Sequence, residues 1–246
     1  MSILSDLIGD LKTIYHLAKP VQGDTHQQRL ENFYSTQSAD YDRFRRRLLQ
    51  GREELYQTLA SGNEDGRIWV DFGGGTGANL ESIGDHLAKF VKIYIVDLSP
   101  SLLQVAQARI ANHGWTNVAT VEADITQFSP PEGIADLVTF SYSLTMIQDW
   151  FAAIEQAQHI LRPGGTIGVV DFYVSHKHPP QGWQRHSFFD RNFWPIWFAT
   201  DNVFLCPNRL AYLNHKFDTV ALIERMGSLP FLTGLKVPYY IFIGHK

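Results

Sequence analysis

Apolar positions at the start of the chain recur at helical spacing. In "SILSDLIGDLKTIYHLAKP", Ile3, Leu4, Leu7, Ile8, Leu11, Ile14, Tyr15 and Ala18 share one stripe, Asp6, Asp10 and Lys12 fall elsewhere, and Pro20 stops the run. The stripe predicts a helix that packs on its own domain, or one that lies on a partner or in a membrane interface. Its polar face lacks the Lys/Arg enrichment expected of the membrane case. "HQQRLENFYSTQSADYDRFRRRLLQGREELYQTLA" reads as two further helices around a polar break near Ser35 to Asp40. From Arg67 the period changes. Short β-branched runs, "RIWVDF", "VKIYIVDL", "ATVEADI", "DLVTFSYS" and "GTIGVVDFYV", alternate with helical stretches at Asn79–Lys89, Ser101–Asn112 and Trp150–Leu161. That alternation predicts a parallel, doubly wound sheet. After Val174 it fails. An aromatic, His-rich insertion follows, then an expected helix at roughly Asp218–Met226 and a last strand at Tyr239–Gly244, antiparallel to its neighbour. The expected organisation is one domain over 1–246. It has an N-terminal helical extension or lid (1–60), a core (67–174), the aromatic insertion (175–217) and a C-terminal helix and strand (218–246).

Composition narrows the chemistry. Net charge is −4 and the pI is near 6.2, so no overall basic field favours nucleic acid, and none is expected as a partner. Cys206 is the only cysteine, which excludes an intrachain disulfide and a cysteine-based zinc site. His176, His178 and His186 raise a metal question, but H-x-H without a carboxylate at ligand spacing does not make a site, and no metal is expected. Neither a signal peptide nor a run long enough to span a bilayer is read, so the expected setting is cytoplasmic, with contact at a membrane surface left open.

The densest motif is "IWVDFGGGTGANLESIG", an apolar strand ending in an acid, a glycine cluster and a helical start. No Lys-Ser/Thr pair follows, so the triphosphate-cradling loop fails. The dinucleotide fingerprint fits loosely through Gly73, Gly75 and Ala78. A third pattern, D-x-G-x-G-x-G, is met by Asp71, Gly73, Gly75 and Gly77. The acid separates the last two: Asp71 would repel a pyrophosphate but attract an ammonium. Asp97 ends the second strand in "YIVDLSP", 24 positions past Gly73, where an acid can take both hydroxyls of a ribose.

With "VEADITQF", "DLVTFSYSLTMIQDW" and "ILRPGGTIGVVDF" following in order, the chain resembles the class I S-adenosylmethionine-dependent methyltransferases. The resemblance implies a seven-stranded Rossmann-like α/β sheet, mostly parallel with an antiparallel C-terminal strand, here with added N-terminal helices. It implies S-adenosyl-L-methionine as cofactor. Asp71, Gly73, Gly75 and Gly77 would meet the aminocarboxypropyl end, Asp97 and Leu98 the ribose, Asp124 the adenine amino group and Ile125 the ring, with Ser141 bordering the ligand.

A narrower likeness covers about residues 30–206. "YDRFRRRLLQGREEL", "WVDFGGGTGANLE", "VDLSPSLLQVAQARI", "DLVTFSYSLTMI" and "GVVDFYVS" resemble the methyltransferase half of betaine lipid synthases. That likeness implies an N-methyltransferase acting on the amine of diacylglyceryl-homoserine, with a separate aminocarboxypropyl transferase as functional partner. Methyl transfer needs a neutral amine, so Tyr34, Tyr41, Tyr142 and His186 are the candidate catalytic residues. Arg45, Arg46, Arg52, Arg185 and Arg191 could hold a headgroup carboxylate. Tyr173, Trp183, Phe188, Phe189, Phe193, Trp194 and Trp197 supply ring faces for a quaternary ammonium or for acyl chains. Two alternatives stay open: methylation of a soluble small molecule, such as a quinone precursor, and a non-catalytic S-adenosylmethionine-binding module.

Overall fold

The computed structural model describes residues 47–62, 66–200, 202–229 and 234–246. Its centre is one seven-stranded sheet of order β3-β2-β1-β4-β5-β7-β6. The strands are β1 (Arg67–Phe72), β2 (Phe90–Asp97), β3 (Val118–Glu122), β4 (Ala135–Ser141), β5 (Leu161–Phe172), β6 (Asp218–Ser228) and β7 (Lys236–His245). β1 to β5 pair in parallel, and β7 runs antiparallel to both β5 and β6. This is the expected α/β sheet with its antiparallel C-terminal strand. The middle strands are apolar and covered on both faces, which is why they read as continuous runs rather than as an alternation.

Five α-helices cover the sheet among the described residues: α1 (Arg52–Ala60), α2 (Pro100–His113), α3 (Trp150–Ile160), α4 (Phe188–Ala199) and α5 (Asn208–Lys216). A 3-10 segment, Ala78–Lys89, follows the glycine loop and bends at Gly84. One core layer joins Leu55 and Tyr56 of α1, Leu80 and Ile83, Leu103 of α2 and Trp194 and Phe198 of α4 to one face of the sheet. The other joins Ile154 and Ala157 of α3 and Leu210 and Leu213 of α5 to the opposite face. Side-chain caps start three helices: Ser99 accepts from the Leu102 amide, Asp149 from Ala152 and Ser187 from Asp190.

The C-terminal region departs from the sequence expectation. Asp218–Ser228 is not a helix but strand β6, paired with β7 from Asp218↔His245 to Ser228↔Lys236. β7 would otherwise leave its outer backbone groups unpaired, and that requirement overrides the helical propensity of "ALIERM". The last strand is also longer than expected, because its whole length serves as the template. The insertion after β5 folds into α4 and α5. The N-terminal stripe lies outside the described residues. No helix among them is long and apolar enough to cross a membrane.

Candidate active site

The carboxyl ends of β1, β2 and β4 converge where the sheet order reverses, the usual place for a ligand crevice in an open α/β sheet. β1 delivers Asp71 there, fully buried. One carboxylate oxygen, Oδ1, accepts from the Tyr56 hydroxyl at 2.6 Å and the Thr139 hydroxyl at 2.7 Å. The other, Oδ2, is buried with no hydrogen-bond partner. A Cβ added to Gly74 would lie 2.6 Å from it, so the glycine loop passes directly over this oxygen. Burial, reinforced by the negative charge of Asp97, pushes the Asp71 carboxyl up to about 6.

The glycine loop has little freedom to change. Gly73 has φ 69°, and its amide donates to the Val96 carbonyl at 2.8 Å. A Cβ there would sit 2.5 Å from Cβ of Ser143. Gly75 and Gly77 also lie in the left-handed region. Asp97 clamps the loop to β2, with Oδ2 accepting from the Gly75 amide at 3.0 Å and Oδ1 from the Ser99 amide at 2.9 Å. Leu98 is half-buried beside it.

β4 contributes a second orphan. Asp71 pairs with Thr139, and Ser141 lies two residues on, so all three share one face of the sheet. Ser141 is 4% exposed and its hydroxyl has no partner. Ser143 ties the following loop back to β1 by donating to the Phe72 carbonyl at 2.9 Å. Past β3, Asp124 is exposed and its Oδ1 accepts from the Thr126 amide and hydroxyl, while Ile125 is buried. Asp71, the glycines, Asp97 and Ser141 are therefore tied together through β1, β2 and β4, whereas Asp124 and Ile125 stand one strand further out.

The candidate proton acceptors fare differently. Tyr142, at φ 54° after β4, donates its hydroxyl proton to the Gln50 carbonyl at 2.7 Å, and burial holds its pKa well above the usual value. His186 is buried; its Nδ1 accepts from the Ser175 amide at 3.0 Å. The ring proton must then sit on Nε2, which is buried and unpartnered. As placed, this imidazole is a donor, and burial keeps it neutral. Tyr34, Tyr41, Arg45 and Arg46 lie outside the described residues. Arg52 donates to the Asn79 side chain at 3.1 Å, Arg185 is exposed, and Arg191 Nε is buried without a partner. Among the described residues no group of three His, Cys, Asp or Glu side chains could hold a metal.

Sequence reasoning missed Tyr56, Thr139 and Asp171. Tyr56 sits in an ordinary helical pattern, and only folding brings its hydroxyl to Asp71. Asp171 had a readable signal, an acid within the apolar run "IGVVDF". It is fully buried and accepts from the Thr145 amide at 3.0 Å and hydroxyl at 2.7 Å, which fixes the loop after β4. Burial pushes its carboxyl up to about 6.

Known proteins share the fold and the domain family. The methyltransferase domain family matches residues 41–202. A ubiquinone/menaquinone biosynthesis C-methyltransferase UbiE from Hahella chejuensis is 25% identical over 158 residues, covering 63% of this chain and 64% of its own length. The match thus spans less than two thirds of that relative. The N-methyltransferase NodS of Bradyrhizobium japonicum, solved with S-adenosyl-L-homocysteine, superposes at TM-score 0.58 with 16% identity, over 95% of this chain and 98% of that one. A Haemonchus contortus phosphoethanolamine N-methyltransferase 2, solved with S-adenosyl-L-methionine, gives TM-score 0.59 at 14% identity over 79% of this chain and 52% of that one. The solved structures establish the fold, and the domain match, over most of the chain, establishes that it belongs to the class I S-adenosylmethionine-dependent methyltransferase family.

Proposed function

We propose that the chain transfers the methyl group of S-adenosylmethionine to the amine of a lipid headgroup, with diacylglyceryl-homoserine as the acceptor and a separate protein supplying the aminocarboxypropyl group. The observation that carries the lipid reading is the outer face of α4. Phe188 is 77% exposed, Ile196 73% and Phe189 51%, with Trp197 and Phe204 also open to solvent. Phe189 and Phe193 stack at 4.7 Å on the same side. A closed pocket for a soluble acceptor would have buried these rings. An apolar helical face this open fits a surface that lies against lipid.

When bound, the cofactor supplies an electrophilic methyl carbon on a sulfonium. In this reading Asp71 Oδ2 takes its ammonium, the left-handed glycine loop lets backbone approach it, and Asp97 accepts from the ribose hydroxyls. Leu98 borders the ribose, Asp124 and Ile125 meet the adenine, and Ser141 closes the edge nearest the acceptor. The orphaned oxygens of Asp71 and Ser141 fit this role, since each is a buried polar atom lacking a partner. The chain's own work is alignment and exclusion of water. Tyr142 and His186 keep their protons as placed, so removal of the amine proton falls to Tyr34, Tyr41 or solvent.

The test is mass spectrometry of lipids from a host that supplies diacylglyceryl-homoserine, with and without the chain. A trimethylated headgroup appearing only with the chain supports the reading, and no mass change refutes it. The 25% identity to ubiquinone/menaquinone biosynthesis C-methyltransferases favours a second reading, methylation at carbon of an apolar ring substrate. A methylated quinone in the same extracts, with the headgroup unchanged, would select it.

A further inference from the structure

The hydrogen bonds around Asp71 run in one direction. Trp69 Nε1, which can only donate, donates to the Thr139 hydroxyl oxygen at 2.8 Å, so the single proton of Thr139 is free to go to Asp71 Oδ1. On the other side Arg52, also donor-only, bonds Oδ1 of Asn79 at 3.1 Å. That turns the Asn79 amide nitrogen to the Tyr56 oxygen at 3.3 Å, and the Tyr56 proton in turn goes to the same Oδ1. Two donor chains, one from α1 and one from β1 through β4, thus end on one oxygen. Oδ2 receives neither.

We propose that Tyr56 and Thr139 are positioning residues for the cofactor: by loading both hydroxyl protons onto Oδ1 of Asp71, they hold the carboxylate ionised and turned so that Oδ2 alone faces the ligand ammonium. The inference rests on the cofactor reading above and deepens it. A carboxylate free to rotate would share its charge between loop and core. With Oδ1 occupied twice, the unsatisfied lone pairs are all on Oδ2, beneath the glycine loop. Among the described residues the other charged group acting on Asp71 is Asp97 at the end of β2, which opposes ionisation. Arg52 reaches the network through Asn79. Tyr56 keeps its own proton, because burial and the neighbouring carboxylate raise its pKa well above the ordinary value.

The experiment is calorimetric titration of the full chain with S-adenosylmethionine from about pH 5.5 to 8.5, for the native protein, Tyr56→Phe, Thr139→Val and the hydroxyl-preserving Thr139→Ser. Native affinity is expected to rise as Asp71 ionises. Tyr56→Phe should move that midpoint up by about one pH unit, weakening binding roughly eightfold near pH 5.5, about threefold near pH 6.5 and hardly at all near pH 8.5. Thr139→Val should do the same and Thr139→Ser should stay near native. Equal weakening at every pH, with the midpoint unmoved, would overturn the assignment and leave only packing roles. A second readout needs no ligand: the pH dependence of urea unfolding for each variant, referenced to Asp71→Asn. A midpoint shifted there by Tyr56→Phe supports the lock on Asp71. If the ligand-free midpoint shifts but the native chain binds no S-adenosylmethionine, the cofactor reading fails instead.

Discussion

The crevice at the ends of β1, β2 and β4 and the face of α4 are opposites in construction. In the crevice nearly every polar group is held by another, and the exceptions, Asp71 Oδ2 and Ser141 Oγ, are single buried atoms on one face of the sheet. On α4 large apolar side chains, Phe188, Phe189 and Ile196, are more than half exposed. A site for a small charged ligand must be preorganised, because each misplaced dipole costs binding energy. A surface for something large and fluid needs only apolar area. On the proposed reading, the crevice is preorganised for one small molecule, while the α4 face serves whatever the protein rests against.

The largest way to break the contrast is at its charged centre. Asp71→Ala should abolish measurable S-adenosylmethionine binding, a loss of more than about 3 kcal/mol, since the buried partner of an ammonium is removed. Calorimetry checks it, and binding within tenfold of native would place the ammonium elsewhere. Gly73→Val comes next. Its left-handed φ and the contact with Ser143 make any side chain strained, and a fall in stability of roughly 2–4 kcal/mol is expected in urea unfolding. Asp97→Ala should weaken cofactor binding by about 2 kcal/mol, the scale of losing charge-assisted hydrogen bonds. An unchanged dissociation constant would remove Asp97 from the ribose.

The acceptor half predicts the reverse pattern. Replacing Phe188 and Ile196 together by Ser should leave stability within about 0.5 kcal/mol of native, as for surface changes generally, and leave cofactor affinity untouched. Flotation with vesicles containing anionic lipid should fall several-fold. Equal flotation would show that α4 is not the face that meets lipid.

The smallest effect is on pH. Asp71 and Asp171 are both pushed up to about 6 by burial, above their unfolded values near 4. Between those limits the folded chain binds more protons than the unfolded one. Ligand-free stability attributable to these two groups should therefore be full below about pH 4 and decline as pH rises through about 6. Asp71→Asn should flatten its share of that slope. Saturating cofactor should also flatten it, because an ammonium at Oδ2 favours the ionised form.

How much was legible follows from how local each feature is. The glycine loop, Asp71 and Asp97 were readable because a strand, a tight turn and the next strand's end are set within a short stretch of chain. Of the C-terminal pair, β7 was legible but β6 was misread as a helix because "DTVALIERM" has no strong period of its own, and β6 exists because β7 needs an outer partner. Tyr56 and Thr139 gave no signal at all, since a tyrosine on an apolar stripe and a threonine in a strand are ordinary core residues.

By itself the sequence determined the alternating α/β order, the parallel middle of the sheet and the acid-and-glycine turn, because hydrophobic period and backbone freedom act over a few residues. Only the tertiary structure decided which oxygen of Asp71 is left without a partner, which ring nitrogen of His186 carries its proton, and that α4 buries Trp194 and Phe198 while Phe188 and Ile196 face outward. Those depend on groups distant in sequence meeting in a buried space, where each unpaired polar atom is costly and each exposed ring must answer to something outside the chain.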